Sequence, residues 1–241
     1  MDLGIAGKVA LVTASSKGLG RASALALADE GCKVVVTARG EDALRQTEKE
    51  LAERTEVLAI PEDVTQPDAP KRLIEATVDR FGGVDILVPN AGGPPPTRAL
   101  EFDDQQLAAA LNANLTTSIR LVREAVPHMC ANKWGRICCI TSSSIKQPIP
   151  TLAMSNVART ALWAWIKTAA QELIPDGITI NTAAPGSHAT DRMKQLGGGS
   201  TEGMGDPADF GKVVAFLCSQ PANFITGTAL QVDGGATLGL L

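Results

Sequence analysis

The sequence predicts an α/β domain built on a doubly wound parallel sheet. Three observations lead there. Short apolar runs alternate with longer segments of helical period along all 241 residues. Most of the runs are short and predominantly apolar, as strands covered on both faces are. A glycine-bearing turn joins the first run to the first helical segment. Right-handed crossovers between such units wind helices onto both faces of one sheet.

The elements follow in order. Lys8–Thr13 reads as a buried strand and Gly18–Glu30 as a helix rich in Ala and Leu. Lys33–Thr37 is the second strand, and Glu41–Arg54 a charged amphipathic helix. Glu56–Ile60 is the third strand, followed by a helix near Asp68–Phe81, and Val84–Val88 is the fourth strand. One long helix is expected from Asp103 to about Ala131, with Pro127 near its last turns. Arg136–Thr141, a helix over about Leu152–Ile174, and Ile178–Thr182 continue the alternation. Asp206–Ser219 is a helix with an acidic start, and Ala229–Val232 a last short strand. There is no repeat, linker or low-complexity segment, so a single domain over residues 1–241 is expected. The one loose stretch, Gly197–Gly205, reads as a surface loop or a lid over a ligand site, since ligands bind beyond the carboxyl ends of the strands.

Composition narrows the function. There is no tyrosine, which excludes any mechanism in which a phenol transfers a proton. Aromatic residues at 3% disfavour a base-stacking nucleic-acid module. A net charge of −4 disfavours binding to phosphate backbones or anionic membranes. No apolar stretch approaches the ~18–20 residues of a membrane span, and the N-terminus lacks the basic run and apolar core of a secretory signal. Five cysteines without a CxxC pair, and only two histidines, argue against a disulfide framework or a structural zinc site. Reduced thiols in a cytoplasmic protein are expected. Cys138 and Cys139 should point to opposite faces of their strand as small core residues.

The segment Thr13-Ala14-Ser15-Ser16-Lys17-Gly18-Leu19-Gly20 lies between strand and helix. Such a turn brings backbone N–H groups to a pyrophosphate, and the helix N-terminus favours the anion. A carboxylate at the end of the second strand would select the free 2′-hydroxyl of NAD. Here Thr37-Ala38 is followed by Arg39, and Lys17 lies in the turn. Two cations and no acid point to NADP(H).

Together these motifs resemble the short-chain dehydrogenase/reductases. Thr13–Gly20 resembles that family's TGxxxGxG turn, with Ala14 in place of the first glycine. Asp63-Val64 sits where the family contacts adenine, and Asn90-Ala91-Gly92 is similar to its NAG motif. Asn114 and Ser142 match its catalytic asparagine and serine. Pro185-Gly186 and Thr190 resemble the loop that holds the nicotinamide carboxamide, and Asp233-Gly234-Gly235 its C-terminal signature. The resemblance covers residues 4 to 236 and implies a Rossmann fold, a 3-oxoacyl-(acyl-carrier-protein) reductase-like activity, and a homo-tetramer or homo-dimer. It implies an interface through helices near 103–131 and 152–174, the second carrying Trp163 and Trp165.

The pattern breaks at one place. The family's tyrosine lies thirteen residues after the serine and its lysine four further on; those positions are Ser155 and Arg159. A serine hydroxyl is a far weaker acid than a phenol of pKa ~10. Its oxygen lies roughly 2.4 Å from Cα, against about 6.5 Å for a phenol, and the gap of about 4 Å suits a water. Arg159 can bind ribose hydroxyls and stabilise negative charge, but it does not release a proton. Three proton sources are open: a water near Ser155, Lys146 after the serine run Ser142–Ser144, and His188 in the Pro-Gly loop. Two readings follow: an NADP(H)-dependent carbonyl or imine reductase with a changed proton donor, or a catalytically silent NADP(H)-binding protein with a structural or sensory role.

Overall fold

The computed structural model describes residues 1–197 and 202–240. Part of the loose stretch Gly197–Gly205, residues 198–201, lies outside the described residues. The sheet has seven parallel strands in the order β3-β2-β1-β4-β5-β6-β7. They are β1 (Val9–Thr13), β2 (Lys33–Ala38), β3 (Val57–Pro61), β4 (Ile86–Val88), β5 (Gly135–Ile140), β6 (Ile178–Pro185) and β7 (Ala229–Val232). The order reverses between β1 and β4, which opens a crevice at the carboxyl ends of those strands, the place where doubly wound sheets bind ligands.

Helices cover both faces: α1 (Gly18–Asp29), α2 (Glu41–Ala52), α3 (Ala69–Phe81), α4 (Asp104–Leu111), α5 (Thr117–Ala131), α6 (Ala153–Leu173), α7 (Asp191–Gln195) and α8 (Pro207–Leu217). Two apolar clusters result, one on each face. β1 splits between them residue by residue, Ala10 and Val12 to one side and Leu11 to the other. Cys138 and Cys139 divide in the same way, as their adjacency implies. All five cysteines are free, and burial pushes the Cys32 thiol up to about 12, so it packs as a neutral thiol. Arg136 is fully buried at the far end of β5 and donates to the carbonyls of Ser219, Gly135 and Gly177. α1 and α8 approach so closely at Gly211 that any side chain there would strike the Ala22 carbonyl. That packing fixes the helix whose N-terminus faces the crevice.

The structure departs from the sequence reading in four places. β4 is shorter than expected, β6 runs on to Pro185, and α7 was not foreseen. The expected single helix over 103–131 is broken by a π-helical turn at Asn112–Thr116. There the Thr117 hydroxyl donates to the Asn112 carbonyl five residues back, and the Asn112 amide donates to the Thr65 carbonyl. The extra residue turns Asn114 inward, where it is buried. Among the described residues no helix is long and apolar enough to cross a membrane.

Candidate active site

The turn after β1 is held from three sides. The Thr13 hydroxyl donates to the Asn90 carbonyl at 2.7 Å and accepts from the Asn90 N–H at 2.8 Å. The Asn90 side chain donates to the Ala14 carbonyl at 3.2 Å. Ser15, expected to face a cofactor, is instead fully buried: its hydroxyl donates to the Val12 carbonyl and accepts from the Thr37 N–H. It ties β1 to β2 and presents no hydroxyl to the crevice. Thr47 of α2 fixes the Ser16 carbonyl. Gly20 lies against the turn, and a Cβ there would sit 2.5 Å from the Ala14 carbonyl oxygen. Ala14 has a φ of +46°, the left-handed region where the family's glycine is the unstrained choice.

The N-terminus of α1 is open. Lys17, at its cap, gives no side-chain hydrogen bond, and no acidic residue occupies the first turn. The first N–H groups therefore face the crevice with the positive end of the helix dipole behind them, a fit for a pyrophosphate. Leu19 packs against the apolar cluster beneath, which orients this turn. Thr190 closes over it, its methyl 3.7 Å from where a Cβ on Gly18 would lie.

At the end of β2, Arg39 is exposed and Ala38 buried. The Asp63 carboxylate accepts from the Thr65 N–H and hydroxyl. The Thr65 backbone N–H is the main cause that holds Asp63 below its ordinary range, with the Thr65 hydroxyl and the charge of Arg39 adding to it. Val64, beside it, is buried in the second cluster.

Arg159 lies at the floor of the crevice. It is buried on the inner face of α6, one turn after Ser155. Its guanidinium donates to the Ile140 carbonyl at the end of β5 (3.0 Å) and to the Ala91 carbonyl beyond β4 (3.5 Å). Burial first, and the nearby charge of Arg192 second, bring its pKa down to about 10, so it stays a cation at neutral pH. Ser155 is 5% exposed, and its hydroxyl makes no hydrogen bond among the described residues. The Ser142 hydroxyl accepts from the Ser144 N–H at 3.1 Å and caps the short turn Ser143–Ile145. Asn114 donates its amide to the Ala110 carbonyl, while its buried Oδ1 has no partner among the described residues. Gly92 adjoins open space.

Two proposed proton donors are turned elsewhere. The Lys146 ammonium sits 4.1 Å from the centre of the Trp163 ring. Trp163 is eight residues beyond Ser155, about 12 Å along the helix axis. His188 is buried, stands edge-on to Phe210 at 5.2 Å, and packs on Gly205. Its Nδ1 lies 3.2 Å from the Gly186 carbonyl, and if it donates there the ring's one remaining lone pair is on Nε2. The ring serves as packing for the loop. Beneath that loop, β7 pairs with β6 in the register Pro185 to Val232, and Asp233 contacts Gly186 so closely that a Cβ would overlap it. Arg192 was missed by sequence reasoning. It reaches from α7 to the Pro94 carbonyl at 2.6 Å.

Comparison with known proteins agrees with this geometry. A family model described as enoyl-(acyl carrier protein) reductase matches residues 13–237. The chain belongs to the short-chain dehydrogenase/reductase family. A 3-oxoacyl-[acyl-carrier-protein] reductase of Vibrio cholerae is 33% identical over 244 residues, covering 97% of this chain and 98% of its own. Tropinone reductase-like 3 of Erythroxylum coca is 35% identical over 242 residues, covering 95% and 93%. Among solved structures, the L-sorbose reductase of Gluconobacter frateurii complexed with NADPH and L-sorbose superposes with a TM-score of 0.92 at 33% identity, over 100% of both chains. The family places this chain among oxidoreductases whose fold it shares.

Proposed function

We propose that the protein is an NADP(H)-dependent reductase of a carbonyl or imine substrate, similar to the 3-oxoacyl reductases, in which a water held near Ser155 delivers the proton that a phenol delivers in relatives. The observation that carries this reading is the open N-terminus of α1 above a turn too tight for any side chain at Gly20. Arg39 at the end of β2, with no acid on the strand end, supports the 2′-phosphorylated form of the dinucleotide. Thr13, Ser16, Lys17, Gly18, Leu19 and Gly20 would hold the pyrophosphate side. Asp63 and Val64 would face the adenine, and Asn90 to Gly92 with Pro185, Gly186 and Thr190 the nicotinamide side.

When bound, the dinucleotide supplies a hydride to the substrate's electrophilic carbon. The chain's own residues do the rest. Ser142 orients the substrate oxygen. Ser155, whose hydroxyl has no partner among the described residues, holds a water in the space a phenol would fill. That water gives its proton to the substrate oxygen and is reprotonated from solvent. Arg159 stabilises the negative charge that develops there and binds the ribose. The buried Asn114 Oδ1, which has no partner among the described residues, is a place for a further water.

The reading fails if NADPH binds and a broad panel of ketones, imines and 3-oxoacyl thioesters oxidises none of it. That outcome favours the silent, NADP(H)-binding alternative. We further propose a cytoplasmic homo-oligomer joined through α4, α5 and α6, where Val157 is about half exposed; light scattering that shows a monomer contradicts it.

A further inference from the structure

Arg192 has no counterpart among the motifs that define the cofactor site, and its surroundings are unusual. Its guanidinium crosses from α7 to the loop after β4, the same loop whose Ala91 carbonyl accepts from Arg159. Its Nη2 donates to the Pro94 carbonyl. It also packs on Gly93, where a Cβ would sit 2.9 Å from that same nitrogen, so a larger residue there would make the guanidinium shift. Arg192 is half-buried, and burial lowers its pKa. Its charge is felt at Arg159.

Among the described residues Arg192 and Arg159 form no ion pair. The acid next to Arg192, Asp191, is paired with Lys194 at 3.3 Å. Asp233, beneath the same loop, accepts from Thr237 and Gly235. A guanidinium carries five N–H donors in a planar fork, and Arg192 spends one on Pro94. Two partly desolvated cations held on one loop repel each other, and an anion between them relieves that repulsion. The planar fork matches a carboxylate two bonds at a time.

We propose that Arg192 binds a carboxylate of the substrate, so that the crevice selects oxo acids over neutral carbonyl compounds. This rests on the reductase reading above. The other anion that could meet Arg192 is the cofactor's own pyrophosphate, and the test separates the two.

Calorimetry on the NADP⁺-saturated protein would compare 2-oxobutanoate, 3-oxobutanoate and 4-oxopentanoate with their methyl esters. The readout is binding, independent of turnover. The expected result is that at least one acid binds about tenfold or more tightly than its ester, the effect of a charge-assisted pair. Arg192→Met should erase that preference and leave ester and NADP⁺ affinities within twofold. Arg192→Lys, which keeps the charge without the fork, should restore part of it. Equal affinity for every acid and its ester in the native protein overturns the proposal. So does a tenfold loss of NADP⁺ affinity in Arg192→Met with the acid preference intact, which would give Arg192 to the pyrophosphate. A native protein that binds no NADP⁺ sinks the reductase reading first, and this inference with it.

Discussion

Replacing Arg159 by methionine separates what the buried cation costs the fold from what it gives the site. Burial and the charge of Arg192 bring its pKa from the ordinary arginine range to about 10. At ~1.4 kcal/mol per pH unit, a fall of that size corresponds to about 3 kcal/mol spent keeping the ion in place. The opposing term is the loss of two hydrogen bonds. The bond to the Ile140 carbonyl at 3.0 Å is charge-assisted and contributes about 1.5–3 kcal/mol; the longer one to Ala91 at 3.5 Å contributes less. The two terms nearly cancel, so Arg159→Met should change stability by no more than about 2 kcal/mol in either direction. The pH dependence has a definite sign. The folded pKa lies below the unfolded one, so the cost is present at every pH below about 10 and is relieved only as pH rises through that value. Urea unfolding at pH 6, 7.5 and 9 should therefore give the same difference between native and variant. NADPH affinity, followed by nicotinamide fluorescence, should fall about tenfold, the loss of one charge-assisted contact. A destabilisation above about 4 kcal/mol, a slope between pH 6 and 9, or unchanged NADPH affinity would refute this account of Arg159.

Other substitutions probe the turn and the discarded proton donors. Gly20→Ala forces a methyl to within 2.5 Å of the Ala14 carbonyl and should cost about 1–3 kcal/mol in denaturant unfolding together with most NADPH binding. Ala14→Gly relieves a left-handed φ worth about 1–2 kcal/mol, less the roughly 0.5–1 kcal/mol that glycine adds to chain entropy. The net is a gain of up to about 1 kcal/mol and a Tm about 2–4 °C higher by calorimetry; a lower Tm would contradict it. Lys146→Met should leave turnover within about threefold, because its ammonium rests on Trp163, and a drop of a hundredfold would restore it as the acid. His188→Phe should likewise leave the pH–rate profile between pH 5 and 8 unchanged, which steady-state kinetics across that range would show.

Much of this is legible in the sequence. Strand interiors such as Val9–Val12 and Val34–Val36 are read from continuous apolar runs, since both faces of a parallel sheet are covered. Ser155 and Arg159 share the buried face of α6 because their spacing is one helical turn. What was not legible depends on tertiary packing. The π-helical turn at Asn112–Thr116 is set by a contact from Asn112 to Thr65, far apart in the chain. Ser15 looks like a phosphate ligand in sequence, and its direction is decided by Thr37 on the neighbouring strand. Lys146 and His188 were named for their chemistry, but aromatic neighbours on α6 and α8 decide where they point. Arg192 carried one usable signal, an arginine two residues after the threonine of the carboxamide loop, yet its partners Gly93 and Pro94 lie almost a hundred residues earlier.

The central claim is that hydride still moves in a chain without a phenol. The most direct test supplies NADPH deuterated at C4, each epimer in turn, with a panel of oxo acids, ketones and 3-oxoacyl thioesters, and reads deuterium in the alcohol product by mass spectrometry. The account predicts incorporation from one epimer at a rate above the protein-free control, reduced but not abolished in Ser155→Ala. NADPH bound to the protein with no deuterium transferred to any substrate would contradict it.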